Sequence, residues 1–326
     1  MTPYFFISKN NRFYARLALL ASILAFIVVS LGAFTRITNA GLSCPDWPVC
    51  YGYITAPHTA TQVQQAALQY PSTPVNTNKA WTEMVHRYLA GTLSLLVFIL
   101  VITTGRLQKK IQINFNPVRI ALLMLLASQV LLGMLTVTLK LSPGIVLGHL
   151  VTGFALLSLL WWSYLKFSNQ PTPLPYTSHA KHWIHLGLLI LVLQIILGGW
   201  VSTHYAGLAC IHFPYCNGPE MPTLHFNQLN TDLVTIHMLH RFGAMLAGTY
   251  LGLLAIILLF TNKELRFFAS ILLILLLGQI SLGILNIVWL RPTWIALFHN
   301  MTAALLLLTL ITLLVKTKRA SAELAI

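Results

Sequence analysis

The sequence predicts an all-α integral membrane protein, with eight transmembrane helices arranged as two tandem, parallel-repeat four-helix bundles. Three observations predict this. Hydrophobic residues make up 57% of the 326-residue chain and charged ones 8%, whereas soluble domains carry about 25% charge. Mean hydropathy is +0.76. Eight runs reach the roughly 20 mostly apolar residues that a bilayer-crossing helix needs, and motifs of the first half return in the second. Twenty Lys and Arg face six acids, a net charge of +14, but no stretch is polar enough to form a basic nucleic-acid-binding domain.

Taken in order, the first run (17–35) follows Lys9, Arg12 and Arg16 as a signal peptide would. No small-residue cleavage pattern closes it, so it reads as an uncleaved helix. A loop of about 45 residues follows, and its 57–74 stretch has room for a short amphipathic surface helix. Runs 81–104, 119–139 and 145–165 complete a first domain over 1–167. A linker (168–182) leads to a second domain (183–326) with runs 183–203, 233–260, 267–290 and 293–315. The second domain's long loop has about 29 residues. Long apolar runs, in place of alternating ten-residue segments, exclude an outer-membrane barrel.

With eight spans both termini share a side, and fourteen of the twenty basic residues fall there. The positive-inside rule makes that side cytoplasmic, in the cell inner (plasma) membrane. Cys44 and Cys50 then lie in the first outer loop, Cys210 and Cys216 in the third. An even count confined to the oxidising side reads as two local disulfides, which staple the loops or exchange electrons. Zinc fits less well, because the spacing is wide and no second pair stands nearby.

Gly32–Gly52 and Gly198–Gly218 align at an offset of 166, sharing AGL, both cysteines, the proline before the second cysteine and the closing glycine. Met84–Arg87 (MVHR) matches Met238–Arg241 (MLHR) at 154, and Gln129, Gly133 and His149 match Gln279, Gly283 and His299 at 150. Four helices per repeat make the repeats parallel. The repeat pairs His86 with His149 and His240 with His299, each near the outer end of its helix. Two level histidines in a four-helix bundle can hold a haem iron from both faces. An interhelical hydrogen bond is the plainer alternative, and copper or zinc would want more ligands. Glu83, one turn before His86, has His237 as its counterpart. It reads either as a proton-transfer group or as a carboxylate at a helix N-terminus. Arg87 and Arg241 follow the matched histidines, where they would meet haem propionates or snorkel to headgroups. Gln129 and Gln279 read as interhelical glue.

AGLSCPDWPVC in the first outer loop, TEMVHR, GHLVTG, IHMLHR and FHNMTAAL together resemble the haem A synthase family, of bacterial type, over nearly the whole chain. The resemblance implies oxidation of the C8 methyl of haem O to a formyl group through an alcohol, giving haem A for terminal oxidases. It implies a substrate haem site with Glu83, His86 and His149 in the amino-terminal bundle, and haem b held by His240 and His299 in the other. Cys44 with Cys50, and Cys210 with Cys216, match the family's outer-loop pairs. The implied partners are haem O, the farnesyltransferase that makes it (haem O synthase), an electron donor, terminal oxidase assembly and membrane lipid. A homo-oligomer is left open. Two other readings use the same histidines: a di-haem b electron-transfer protein, and a haem carrier or assembly factor without catalysis.

Overall fold

A computed structural model describes residues 9–111, 116–168 and 178–320. Among them are nine α-helices and no named strand. Eight are long and apolar enough to cross a membrane: α1 (Lys9–Ile37), α3 (Thr77–Ile111), α4 (Asn116–Thr138), α5 (Pro143–Phe167), α6 (Ser178–Thr203), α7 (Leu233–Thr261), α8 (Arg266–Val288) and α9 (Thr293–Ala320). The ninth, α2 (Ala60–Gln69), occupies the 57–74 stretch. It starts at a capping box in which Thr59 Oγ1 accepts from Gln62 N and the Gln62 side chain accepts from the Thr59 N–H. Of the linker expected over 168–182, residues 169–177 lie outside the described residues.

Most helices run past the apolar segments that predict them, because a helix does not stop where the hydrocarbon does. α3 begins at Thr77, four residues before the run at 81, and α1 reaches back to Lys9. Inside the spans, Ser and Thr hydroxyls return to backbone carbonyls one turn back, as Ser22 does to Ala18 O and Thr104 to Leu100 O. Large apolar side chains such as Leu20, Leu95 and Ile274 point outward and are more than half exposed. That is the surface a lipid-solvated protein presents.

The described residues group into two compact units, one within Met1–Lys140 and Thr152–Thr172, the other within Leu141–Val151 and Pro173–Ile326. In the second unit α6 packs on α7, α7 on α8, α8 on α9 and α9 back on α6, which closes a four-helix ring. In the first, α1 packs on α3 and α3 on α4. Gln129 of α4 hydrogen-bonds Thr152 of α5, and Tyr14 of α1 meets Phe167 edge-on at 4.4 Å. Positions matched by the sequence repeat share unusual backbone. Asn39 and Tyr205 both adopt positive φ, as do Lys140 with Leu141 and Leu290 with Arg291. Each of the last two pairs turns the chain between consecutive antiparallel helices.

Candidate functional site

Each of the two long loops is folded against the start of the helix that follows it. Cys44–Cys50 and Cys210–Cys216 are disulfides. The first packs with Met84, the second with Met238, the methionines of MVHR and MLHR. In the first loop Asp46 accepts from the N–H groups of Tyr51 and Gly52, both at 2.6 Å. Burial, then the carboxylates of Glu83 and Asp46, push the Tyr51 phenol up from its ordinary value. It therefore stays a donor, to Thr73 O.

The arginines after the matched histidines clamp these loops. Arg87 Nη1 donates to the carbonyls of Asp46, Pro48 and Val49. Arg241 Nη1 donates to those of His212 and Tyr215, and its Nη2 to Cys210 O. Under the 166-residue offset His212 and Tyr215 are the counterparts of Asp46 and Val49. A guanidinium suits this place, since its fixed fork meets several carbonyls while it stays charged. Beside the propionate and headgroup readings, the structure thus gives both arginines partners in their own loops.

Glu83 and His237, the mismatched pair, also serve the loops. Glu83 is buried; its Oε1 pairs with Arg87 Nη2 at 2.6 Å and its Oε2 accepts from Cys44 N at 2.9 Å. His237 is buried as well, with Nδ1 2.8 Å from Ala206 O. A carboxylate can pair with the arginine of its own helix whereas an imidazole cannot, and Arg241 Nη2 turns to Cys210 O instead.

Beneath each clamp a histidine ring rests on a glycine. A Cβ at Gly32 of α1 would stand 3.0 Å from His86 Cε1, and one at Gly198 of α6 would stand 3.1 Å from His240 Cε1. A third seat joins Gly283 of α8 to His299, at 3.2 Å. Only a residue without a Cβ lets imidazole and backbone come this close. In the second unit His240 and His299 are near enough to interact electrostatically. Gln194 Nε2 lies 3.0 Å from His240 Nδ1, and Gln279 Nε2 lies 3.2 Å from His299 Nε2. His299 Nδ1 is buried with no hydrogen-bond partner among the described residues. An axial imidazole must donate one ring N–H and leave the other nitrogen unprotonated; the Oε1 atoms of Gln194 and Gln279, buried without a partner among the described residues, supply the acceptor when these amides are turned over. The residues of this unit fit a bis-histidine haem. His149 stands in the second turn of α5, half-buried, in the segment that groups with the second unit. Among the described residues no three His, Cys, Asp or Glu side chains gather as a metal-ion site.

Gln194 escaped the sequence reading although a signal was present. Its counterpart at the 166 offset is Val28, so a polar residue replaces an apolar one in mid-span. Gln279 is more than glue, since it meets a histidine where its match Gln129 meets Thr152.

Residues 15–311, which take in both clamps and all four matched histidines, match the COX15-CtaA family, described as cytochrome oxidase assembly protein. The chain belongs to this family. Among its curated relatives, a protein of Shewanella oneidensis named "Heme A synthase" is 40% identical over 313 residues, 89% of this chain and 92% of that one. Proteins of the same name from Wolbachia pipientis wMel (28% identical; 88% and 87% covered) and Erythrobacter litoralis (27%; 88% and 91%) are similar over comparable lengths. COX15-CtaA membership thus spans both units, and the eight apolar helices are those of a multi-pass membrane protein.

Proposed function

We propose that the protein is a haem A synthase, a membrane-bound, haem-dependent oxidoreductase that oxidises the C8 methyl of haem O to a formyl group through a hydroxymethyl intermediate. The observation that carries this reading is the repeated seat, an imidazole on a bare glycine below a loop closed by a disulfide and clamped by arginine. It supports one haem per half. Family membership and the relatives named "Heme A synthase" support the substrate.

In this reading His86 and His149 hold the substrate haem O, and His240 and His299 hold haem b. When bound, haem b would supply a one-electron carrier for the oxidation. Gln194 and Gln279 orient its ligand rings. Glu83 lies three residues before His86 on the same helix face and accepts the proton released as the methyl or hydroxymethyl group is oxidised. The clamped loop over it excludes water and fixes its position through Cys44 N. A farnesylated substrate enters from the bilayer, which the outward apolar faces of the helices contact. The chain lies in the cell inner membrane with both termini cytoplasmic, so that the disulfides face the oxidising side.

Two substitutions test these roles in the purified protein. His240→Ala and His299→Ala should each abolish the bis-histidine haem b spectrum; a normal spectrum in either overturns the haem b assignment. Glu83→Gln should keep its haem and lose at least about 100-fold in turnover, the lower range of general-base contributions. Full turnover would remove Glu83 from the proton path.

A further inference from the structure

We propose that Gln194, in the space that Gly243 leaves for it, is the positioning residue of His240: its amide holds the ring at Nδ1, keeps Nε2 for the iron, and thereby slows loss of haem b and lowers its reduction potential. The inference rests on the reading of His240 and His299 as the haem b ligands. It adds what distinguishes His240 from its counterpart in the other half.

α6 meets the His240 ring twice. Gly198 abuts Cε1, and Gln194, one turn earlier on the same helix face, brings its amide nitrogen to 3.0 Å from Nδ1. The two contacts fix the ring's rotation with Nδ1 engaged. An imidazole that ligates through Nε2 carries its proton on Nδ1, so the amide must offer oxygen there. Gln194 Oε1 is buried without a hydrogen-bond partner among the described residues, and half a turn of the amide brings it to Nδ1. His240 O, 2.9 Å from the amide nitrogen, lies within α7 and keeps the N–H four residues on. Accepting Nδ1–H makes the imidazole a more electron-rich ligand, which favours ferric iron.

The room for this amide is specific. A Cβ on Gly243 of α7 would overlap Gln194 Oε1 and stand 2.9 Å from Leu197 Cδ1. Neither member of the pair has its like in the first half. Gln194 corresponds to Val28 at an offset of 166, and Gly243 to Leu89 at 154. The amide and the cleared space are thus absent together from the first half, although the seat is kept: Gly32 carries His86 as Gly198 carries His240. Val28 stands one turn before Gly32, as Gln194 does before Gly198, but has no polar side-chain atom with which to hold a ring.

The test reads the haem rather than turnover. Purified wild type, Gln194→Met, Gln194→Glu and Gly243→Ala are compared by optical redox titration of haem b and by the rate at which haem b passes to apomyoglobin. Met fills the space without an acceptor, and Glu keeps one. Q194M should raise the midpoint potential and release haem b roughly 10- to 100-fold faster, the usual effect of removing a group that orients a metal ligand. G243A, which pushes the amide aside, should move both readings the same way. Q194E should stay at or below the wild-type potential. Wild-type potential and release in Q194M overturn the proposal. So does a Q194E that shifts as Q194M does, because the disturbance would then be one of packing. Should Q194M purify without haem b, retention by Q194E supports the hold and loss from both overturns it. If wild type itself shows no bis-histidine haem b, the reading of the second unit fails; a wild-type-like Q194M leaves that reading standing and removes Gln194 alone.

Discussion

Arg87 and Arg241 each bind backbone carbonyls that neighbour a disulfide, and this arrangement separates what is legible in a residue from what is not. Their place after the matched histidines was visible in the sequence; their partners were not, because Asp46 O and His212 O acquire their directions only when the loops fold. Removing the Arg87 side chain leaves Glu83 buried at 5% side-chain exposure without its ion partner. Breaking a buried pair in this way costs about 3–5 kcal/mol. Arg87→Met should therefore lower the thermal midpoint in detergent and quicken reduction of Cys44–Cys50 by dithiothreitol. An unchanged midpoint and rate would show that the clamp is not structural. The glycine seats make a second prediction. Gly198→Val places carbon 3.1 Å from the His240 ring and should empty the protein of haem b, while Gly218→Val, with open space around its Cβ, should not. Equal haem content in both variants would contradict the seat.

At the scale of the element, the eight spans were readable because apolar runs of bilayer length admit few alternatives, whereas their ends were not. Helix ends are settled by caps and loops outside the hydrocarbon. α2 is set by the Thr59–Gln62 box, and α7 by Asp232, whose side chain accepts from Val234 N. The Asp232 carboxyl also accepts from the Thr235 hydroxyl and pairs with His225. The Thr235 bond first, and then His225, hold its pKa below the ordinary carboxylate value. A carboxyl depressed in the folded state stabilises above its unfolded pKa and ceases to do so as pH falls through its folded one. The start of α7 should thus stay protected from neutral pH down to about pH 4, near the reference carboxyl value, and loosen below it. Hydrogen exchange over 225–236 would detect this, and Asp232→Ala should remove about 1 kcal/mol of local stability and abolish the acid-dependent loosening. Loosening that persists in the variant would assign it to another group.

For the whole molecule, the repeat was the most informative feature of the sequence. It gave matched histidines, matched cysteines and matched turns, and the structure adds matched positive-φ residues and matched glycine seats. The departures from the repeat carry the functional argument: Glu83 against His237, Val28 against Gln194. In the proposed reading the first gives the first half a carboxylate for a substrate that comes and goes. In the same reading the second gives the second half an amide beside His240, to steady a ligand that stays. A protein that only relays electrons between two like haems has no use for these differences. The measurement that tests this most directly is to purify the protein from a host that makes haem O, extract its haems and identify them by mass. The account predicts haem b together with haem A or its hydroxymethyl precursor. Haem b alone, at two per chain, would contradict it and make the protein a di-haem electron carrier.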